Sequence, residues 1–493
     1  MPPLLLRLAA LVCAAGPLAA ADWFVDAQLG DDLSGNGSAQ NPWRTITFAL
    51  AQVPGVDDHI VVAAGTYDVA LGEQFPLQLL PGLYVRGAGS NETILDAGGA
   101  GLGALVGGDT AGGVRLEGVR LINAKEGVRL QPLEADARIE LVDVRVQSIV
   151  NTGLRVDTAV NMPVDVSLTD CIALSCGEGL RARFSNVSQS TLLADNLRVQ
   201  QCNLAIDCLV GPTSTGIFEF VDCSVRNCLA GVRANSAELG SHDLRLRSCL
   251  VVQNGVGVEC NGDGETRVDN STISDNQSGL SGSPAARYTL ANTIVWGNSM
   301  VDVDPALVLS ATYSDTGVLL AGLGNVSINP QFLNAVSGNF ELSGTSPLID
   351  AGDPLFPPGG VDSNNDPRVL DGSANGSAVV DIGWDEFNFA ALALLDPVVP
   401  GTIVRLETTA PPNTMYCLAA GIVLGDWSVG SYGSLLLDFP TLIQINCGFT
   451  PGQDPFLLSG SPVLAGTTFY FQSLAWDPST GVGTFTNQVS LTL

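Results

Sequence analysis

The sequence predicts an all-β protein whose main part is a parallel β-helix, a solenoid with one rung of about three short strands per turn. Three observations predict this fold: a repeat of 22–27 residues, apolar residues at alternate positions, and a glycine at a fixed place in most repeats. Side chains at alternate positions of a strand face the same side, so the rungs would share one core. Leucine-rich repeats are the second choice, because their period is similar but their leucine and asparagine signature differs.

One polar or small residue per turn aligns the repeats. Relative to this anchor, an apolar residue lies two positions before, another lies three positions after, and glycine recurs nine positions after. Asn254, Asn276 and Asn298 follow their anchors by six positions and are expected to stack as an amide ladder. The eight anchors are Gly118, Asp143, Asp170, Asn196, Asp222, Ser248, Asn270 and Asn292.

Eight cysteines fall into columns of this repeat. Other rungs have Val, Leu, Ile, Ala or Asn in these columns, so we expect buried cysteines, mostly free thiols, that bind no metal. They are Cys171, Cys223 and Cys249 one position after the anchor, Cys176, Cys202 and Cys228 six after, and Cys208 and Cys260 twelve after. Disulfides between adjacent rungs are the alternative, as Cys223–Cys249 and one of Cys176–Cys202 or Cys202–Cys228.

Residues 1–21, MPPLLLRLAALVCAAGPLAAA, have the layout of a secretory signal peptide, with a membrane anchor as the alternative. No later apolar run is long enough to span a membrane. We therefore expect a secreted or cell-surface protein, in which disulfides can form. Its 50 acidic and 21 basic residues give a formal charge of −29, which excludes nucleic acid and anionic membranes as partners.

Residues 22–113 are predicted to form an N-terminal cap and the first rungs, because a solenoid needs its open end covered. Within them, Pro42–Val53 has the apolar spacing of a short amphipathic helix. Distinctive elements are Val25-Asp26, Gly30-Asp31-Asp32, Asn41-Pro42-Trp43-Arg44-Thr45-Ile46, Ile60-Val61-Val62, Gly65-Thr66-Tyr67 and Phe75-Pro76-Leu77. With these elements the region resembles an N-terminal domain of unknown function that opens many exported bacterial β-helix proteins. The resemblance implies a right-handed parallel β-helix related in fold to pectate lyases, and it implies no reaction.

Residues 114–328 are predicted to be the main rungs, and residues 329–390 the C-terminal part of the β-helix. The latter contain Ser346-Pro347, Ile349-Asp350-Ala351-Gly352 and Asp381-Ile382-Gly383. With these elements the segment resembles the choice-of-anchor Q domain, which ends the β-helices of exported surface proteins. This resemblance also implies fold and location, not a reaction.

Residues 395–493 are predicted to form a small C-terminal β-sandwich. Strand-like runs alternate with Gly and Pro turns, and positive charge is almost absent. Cys417 and Cys447 are expected to form its disulfide, because a zinc site would need ligands beyond two cysteines.

Four arginines directly follow the apolar residue after the turn glycine: Arg129, Arg155, Arg181 and Arg233. Strand alternation makes them point outward in one column of a sheet, where other rungs carry Asp207 and Glu259. Such a column fits an anionic glycan, because guanidinium pairs well with carboxylate or sulfate. The alternative is a ladder of ion pairs that only keeps the sheet soluble.

Two acidic loops are candidates for structural calcium, the one cofactor that the sequence suggests. The first offers Asp31, Asp32 and Asn36, and the second offers Asp362, Asn364 and Asp366 at alternate positions. Pro367 and Ser373 stand where an EF-hand has its glycine and its bidentate glutamate. We therefore expect at most a partial site in the second loop, and Asx turns are the alternative for both.

No catalytic set is recognisable, and the catalytic residues are unknown. His59 and His242, the only histidines, stand outside nucleophile and zinc motifs and are expected at the surface or in turns. The sequence therefore predicts a monomeric, exported surface or matrix protein that binds extracellular polysaccharide through a sheet face. A polysaccharide lyase or glycosidase acting on acidic glycans is the alternative, and a structural spacer is the third hypothesis.

Overall fold

The protein is nearly all β, and its computed structural model confirms a parallel β-helix of about nine turns followed by separate small antiparallel sheets. The predicted signal peptide lies outside the described residues except for Ala21. Among the residues described, no helix has both the length and the apolar character to cross a membrane. The structure describes residues 21–492 apart from 54–57, 80–81, 109–112, 133–136, 159–163, 186–188, 285, 355–359, 363, 365, 373–376, 397, 400–401, 411–413, 430–433, 439–442, 451, 458–465, 477 and 479–482.

Within the described residues, the β-helix region has one short helix and 31 strands. In chain order these are β1 (Asp22–Val25), α1 (Ile46–Gln52), β2 (His59–Val62), β3 (Gly65–Asp68), β4 (Leu77–Leu79), β5 (Tyr84–Arg86), β6 (Thr93–Asp96), β7 (Leu102–Gly108), β8 (Val114–Ile122), β9 (Glu126–Pro132), β10 (Ala137–Gln147), β11 (Thr152–Thr158), β12 (Val164–Thr169), β13 (Ile172–Leu174), β14 (Glu178–Phe184), β15 (Ser190–Asp195), β16 (Arg198–Gln200), β17 (Leu204–Val210), β18 (Thr215–Val221), β19 (Ser224–Arg226), β20 (Ala230–Ser236), β21 (Ser241–Arg247), β22 (Leu250–Val252), β23 (Val256–Asn261), β24 (Asp263–Asp269), β25 (Thr272–Ser274), β26 (Ser278–Gly282), β27 (Arg287–Ala291), β28 (Ile294–Trp296), β29 (Val301–Val303), β30 (Val308–Thr312) and β31 (Asp315–Thr316).

These strands form two long parallel sheets. Sheet 1 has ten strands, in the order β29-β26-β23-β20-β17-β14-β11-β9-β7-β4. Sheet 2 has 21 strands in the described residues and contains the rest of each rung, mostly as two short strands such as β12 and β13, which pair with β15 and β16 of the next rung. Each paired strand residue therefore has a fixed neighbour one rung away, so equivalent positions of the sequence repeat stack in columns.

The eight anchor residues form the corners of sheet 2: six lie between the two short strands of a rung, and Gly118 and Asp143 lie within the single long strands β8 and β10. All eight have a left-handed backbone, with φ between 45° at Asn270 and 64° at Gly118. This region of φ is open to glycine and tolerated by Asn and Asp, while most other side chains clash there. The anchors are therefore recurrent because of backbone geometry and not because of chemistry.

The recurrent glycine has a different cause. A Cβ atom on Gly127 would lie 2.3 Å from the carbonyl oxygen of Gly153 in the next rung, and one on Gly231 would lie 2.4 Å from that of Gly257. The stacked backbones approach too closely here for a side chain. This close approach brings the chain into sheet 1, immediately before the arginine positions.

The core fills the space between the sheets with apolar residues, and all eight cysteines of the repeat are buried there as free thiols. The inter-rung disulfides considered above are thus not formed. The expected amide ladder is confirmed: the Asn254 backbone N–H donates to Asn276 Oδ1 at 2.9 Å, and the Asn276 backbone N–H donates to Asn298 Oδ1 at 3.0 Å.

Helix α1 covers the N-terminal end of the solenoid, as expected, but it is shorter than the predicted segment. Thr45 caps it by accepting from the Phe48 N–H, and the Glu73 carboxylate accepts from the Ile46 N–H at 2.6 Å. Asp32 holds the residues before the helix by accepting from the Arg44 N–H at 2.7 Å. These acceptors satisfy amides of the first turn and so fix where the helix begins.

The chain after the last rung folds back over one flank of sheet 2. It contains β32 (Phe332–Asn334), the 3₁₀ turn Ala335–Ser337 and β33 (Asn339–Leu342). The Gly383 N–H donates to the Asn292 carbonyl at 2.9 Å, and the Trp384 N–H donates to Thr272 Oγ1 at 3.2 Å. Residues of this segment thereby cover part of the flank of the solenoid.

The C-terminal region has its own small core around Leu406, Tyr416, Leu418 and Phe471. Cys417 and Cys447 lie opposite each other on paired strands and are joined in a disulfide. Its antiparallel strands are β34 (Ala391–Leu394), β35 (Ile403–Thr409), β36 (Met415–Gly421), β37 (Leu424–Ser428), β38 (Ser434–Leu437), β39 (Ile443–Phe449), β40 (Gly452–Leu457), β41 (Thr468–Trp476), β42 (Gly483–Phe485) and β43 (Val489–Thr492). The boundaries drawn from the sequence between cap, rungs, terminal segment and sandwich stay predictions.

Candidate functional site

Sheet 1 brings the four predicted arginines into one outward-facing column. Arg129 pairs with Arg155, which pairs with Arg181. The column continues through Asp207 to Arg233. The residue before each arginine is buried in the core, so alternation turns the guanidinium groups outward. Neighbouring members of the column are about 4.8 Å apart.

An open groove of about 560 Å³ lies over this column. Its floor and walls come from strands of sheet 1 and from the corners that lead into them. We call it the arginine groove, and it is lined by Glu126, Val150, Asn151, Thr152, Arg155, Gly177, Glu178, Arg181, Asn203, Leu204, Ala230 and Arg233.

Carboxylates of the protein already pair with each of the four arginines. Arg155 binds Glu126 through Nη1 at 3.1 Å and Asp157 through Nε at 2.6 Å. Glu126 also pairs closely with Arg129. The guanidinium groups therefore stand in a network and not as isolated cations, although 27–33% of each arginine side chain stays exposed.

Asp207 links Arg181 and Arg233, the two arginines of the network that come later in the chain. Its side chain is only 1% exposed and accepts from Arg181 Nε at 3.4 Å and from Arg233 Nε at 2.9 Å. Arg181 pairs closely with Glu178 as well, and Glu178 accepts from Thr152 Oγ1 at 2.9 Å. Asp207 thus bridges two arginines two rungs apart and fixes both side chains.

The network favours the charged form of Arg155 and Arg233. The hydrogen bond that Arg233 donates to Asp207 raises the pKa of Arg233. Burial lowers the pKa of Arg155, but hydrogen bonds and charges from Asp157 and Glu126 outweigh it and leave the pKa raised. The groove therefore presents fixed N–H donors next to fixed carboxylate acceptors, an arrangement suited to binding hydroxyl or carboxylate groups.

Sequence reasoning found the arginine column but missed three of its carboxylates: Glu126, Asp157 and Glu178. The signal that could have found two of them is a repeated tetrapeptide, EGVR at 126–129 and EGLR at 178–181. The glutamate three positions before the arginine lies at the corner into sheet 1, where the column alternation used for prediction does not apply.

The first predicted calcium loop is held together by hydrogen bonds within and next to the loop. Asp31 Oδ1 accepts from the Leu33 N–H at 2.7 Å, an Asx turn, and this bond lowers the pKa of Asp31. Asp32 binds backbone amides next to α1, as described above, and Asn36 accepts from the Ser38 N–H at 3.1 Å. The three side chains thus each have a separate local partner.

In the second predicted loop Asp362 is buried, Asp366 is partly buried and Asn364 is exposed. Asp362 accepts from the N–H groups of Asn364 and Asp366, and burial raises the pKa of Asp366 to about 8. The Asn364 side-chain amide donates to Glu341 at 3.1 Å and to Asp385 at 3.2 Å. Across the described ranges, no three His, Cys, Asp or Glu side chains are grouped so as to hold a metal ion. Structural calcium at either loop stays a prediction.

The two histidines differ from each other. His59 is partly exposed on β2, with Nδ1 3.1 Å from Asp22 Oδ1. His242 is only 3% exposed, so the expectation of a surface or turn position was wrong for this residue. It lies on β21, where alternation points it inward, and its Nδ1 lies 2.7 Å from Ser236 Oγ.

Comparison with known proteins confirms the resemblance of the N-terminal region. Residues 28–144 match the family model described as a protein of unknown function, DUF1565. No curated protein sequence matches the chain.

Several solved structures resemble the fold at low identity. A lacto-N-biosidase of glycoside hydrolase family 136 from Eubacterium ramulus has a TM-score of 0.40 at 10% identity, covering 62% of this chain and 68% of that one. XylC in complex with xylose has a TM-score of 0.39 at 9% identity, covering 92% and 100%. The A-module of the mannuronan C-5 epimerase AlgE4 from Azotobacter vinelandii has a TM-score of 0.30 at 14% identity, covering 62% and 100%.

Proposed function

We propose that this protein binds a polysaccharide chain along the arginine groove. The observation that carries the proposal is the column of Arg129, Arg155, Arg181 and Arg233, which carboxylates hold in place and whose last three members line one open groove. A polymer with a repeating unit can meet similar donors and acceptors at successive rungs. Each contact is then weak, but contacts made by one chain reinforce one another.

The ion pairs support binding because they fix the arginine side chains in advance. A free arginine loses rotamer entropy when it binds a ligand, and ordering costs about 0.5–1.5 kcal/mol per side chain. Arg181 and Arg233 are already anchored through Nε by Asp207. Each guanidinium has five N–H donors, so donors remain on the exposed part of each side chain.

We also propose that the protein is exported and acts at the cell surface or in a matrix. The Cys417–Cys447 disulfide supports this location, since disulfides persist in oxidising compartments. In this view the segment 329–390 ends the solenoid as a choice-of-anchor Q domain would. Fractionation of the native host, followed by detection of the protein with an antibody, tests the location, and a cytoplasmic pool alone would contradict it.

The binding proposal is tested by comparing the wild type with Arg155→Ala/Arg181→Ala on an array of neutral and acidic polysaccharides. The variant removes charge-assisted hydrogen bonds, so we expect its affinity for the bound polymer to fall at least about tenfold. The matched control is Arg245→Ala/Arg267→Ala, which removes two acid-paired arginines from the outer face of sheet 2. The control should bind like the wild type.

Three outcomes would contradict the proposal. Equal loss in both double variants would indicate a general charge effect, and unchanged binding in the groove variant would place the ligand elsewhere. No binding to any polymer would favour the structural spacer. Release of new unsaturated or reducing ends during incubation would instead indicate the lyase or glycosidase alternative.

A further inference from the structure

We infer that the polymer bound in the arginine groove is neutral and rich in hydroxyl groups, and that the groove discriminates against uronate and sulfated chains. This inference rests on the proposed function, because it names the ligand class for the same groove. It replaces the anionic ligand that the arginine column alone suggests.

The first argument is the charge of the groove. Four arginines face four carboxylates that pair with them, so the formal charge of this network is zero. The carboxylates are Glu126, Asp157, Glu178 and Asp207. An anionic polymer would therefore find no excess of positive charge, while the protein as a whole carries −29 and repels it.

The second argument is geometric. A carboxylate of the ligand could bind Arg155 or Arg233 side-on, through Nε and a neighbouring Nη, only by displacing Asp157 at 2.6 Å or Asp207 at 2.9 Å from Nε. Asp207 is almost fully buried and cannot turn toward solvent. Displacement would leave its charge unpaired inside the protein, which costs several kcal/mol.

The third argument is complementarity with hydroxyl groups. A hydroxyl donates one hydrogen bond and accepts two, so it can bind a carboxylate and a guanidinium at once. The groove places these partners side by side, as with Glu178 and Arg181. Val150, which is 70% exposed, adds apolar wall surface against which the C–H groups of a sugar ring can pack.

The experiment uses polymer pairs that differ only in charge: polygalacturonate and polymannuronate, each beside its carboxyl-reduced neutral form. Binding is measured by calorimetry with the full-length wild-type protein. We expect a neutral member to bind at least about tenfold more tightly than its acidic partner. Its affinity should change less than about twofold between about 50 and 500 mM NaCl, because screening acts on net charge.

The outcomes separate this inference from the proposed function. Tighter binding of the acidic members, weakened by salt and abolished in Arg155→Ala/Arg181→Ala, would overturn the neutral-ligand inference and leave the binding proposal intact. Binding of neutral members that this double variant does not weaken would overturn the inference, because the groove would not be the site. No binding by either member of either pair would overturn both.

A charge-changing variant provides a second test. Glu126→Gln/Glu178→Gln keeps side-chain size and gives the groove a net charge of about +2. Acidic polymers should then gain at least about tenfold in affinity at low salt. The control Glu219→Gln/Glu265→Gln makes the same change on sheet 2, where both residues pair with arginines. An equal gain in the control, or none in the groove variant, would overturn the inference.

Discussion

Single residues define the corners of the solenoid through backbone conformation. The corner at Asp170 has φ 54° and its side chain is exposed, so little packing is at stake there. Asp, Asn and Gly are the residues that tolerate this conformation at low cost. This is why the anchors repeat in the sequence although they form no chemical site.

Asp170 allows a direct test of that explanation. Asp170→Val should lower the free energy of unfolding by about 1–2 kcal/mol more than Asp170→Gly, because a β-branched side chain is strained in the left-handed region. Both variants lose the hydrogen bond from Asn196 Nδ2, so their difference reports the backbone alone. Urea unfolding measures this difference in the free energy of unfolding. Equal stability of the two variants would refute the explanation that the left-handed backbone selects the residue at this corner.

Burial also decides the chemistry of single cysteines. Burial raises the pKa of Cys171 to about 12, and the thiol donates toward carbonyl groups of its own and a neighbouring rung. Reactive and metal-binding cysteines need accessible thiolate. The paired spacing of the cysteines in the sequence thus reflects stacking in the core.

At the scale of strands, the surface of one flank of sheet 2 changes along the solenoid. One outward column contains Ile172, Arg198 and Ser224 in early rungs and Leu250 and Ile294 in later ones. The last two are buried, since the chain after the last rung packs on them. The column changes from exposed or partly exposed residues (Ile172, Arg198, Ser224) to buried ones (Leu250, Thr272, Ile294), and this change marks where the segment docks.

A charge placed in that contact should release the segment. Ile294→Arg puts a guanidinium among Leu342, Leu348 and Ile382, so we expect protease cleavage within residues 329–390 to become at least about tenfold faster. The control Ile172→Arg changes the same column in a rung that faces solvent more openly. It should be cleaved like the wild type, and equal cleavage of both variants would argue against docking.

At the scale of the whole molecule, buried carboxyls of the terminal segment make stability depend on pH. Burial, with the nearby charge of Asp362, raises the pKa of Asp366 and of Asp385 to about 8. Arg368, itself 2% exposed, opposes the shift of Asp385. The folded state therefore binds more protons than the unfolded state between about pH 4 and 8.

The sign of the pH effect follows from that difference in bound protons. Stability should decrease as pH rises through this window, so the thermal unfolding midpoint should be higher at about pH 5 than at about pH 8. Asp366→Asn should reduce the difference. Asp396→Asn is the control, because hydrogen bonds from Arg405 lower the pKa of Asp396 to about 2, outside the window. A midpoint that rises toward pH 8 would contradict the prediction.

The sequence alone determined the solenoid, its register and the outward column of Arg129, Arg155, Arg181 and Arg233. These features are periodic, because each rung repeats the same backbone geometry and the same division between core and solvent. Any property that repeats along the chain can be read from spacing.

Only the tertiary structure decided what the arginines bind and what covers the flank of sheet 2. Glu126 and Glu178 reach the arginines across a corner, and Asp207 bridges rungs that are about 50 residues apart in the chain. Leu250 is covered by Phe340, 90 positions later, and Ile294 is covered by Leu342, Leu348 and Ile382, which lie 48 to 88 positions later. Such contacts depend on packing between non-repeating parts of the chain. Because of these contacts, the column that the sequence predicted to be a cationic strip is a groove in which positive and negative charges balance.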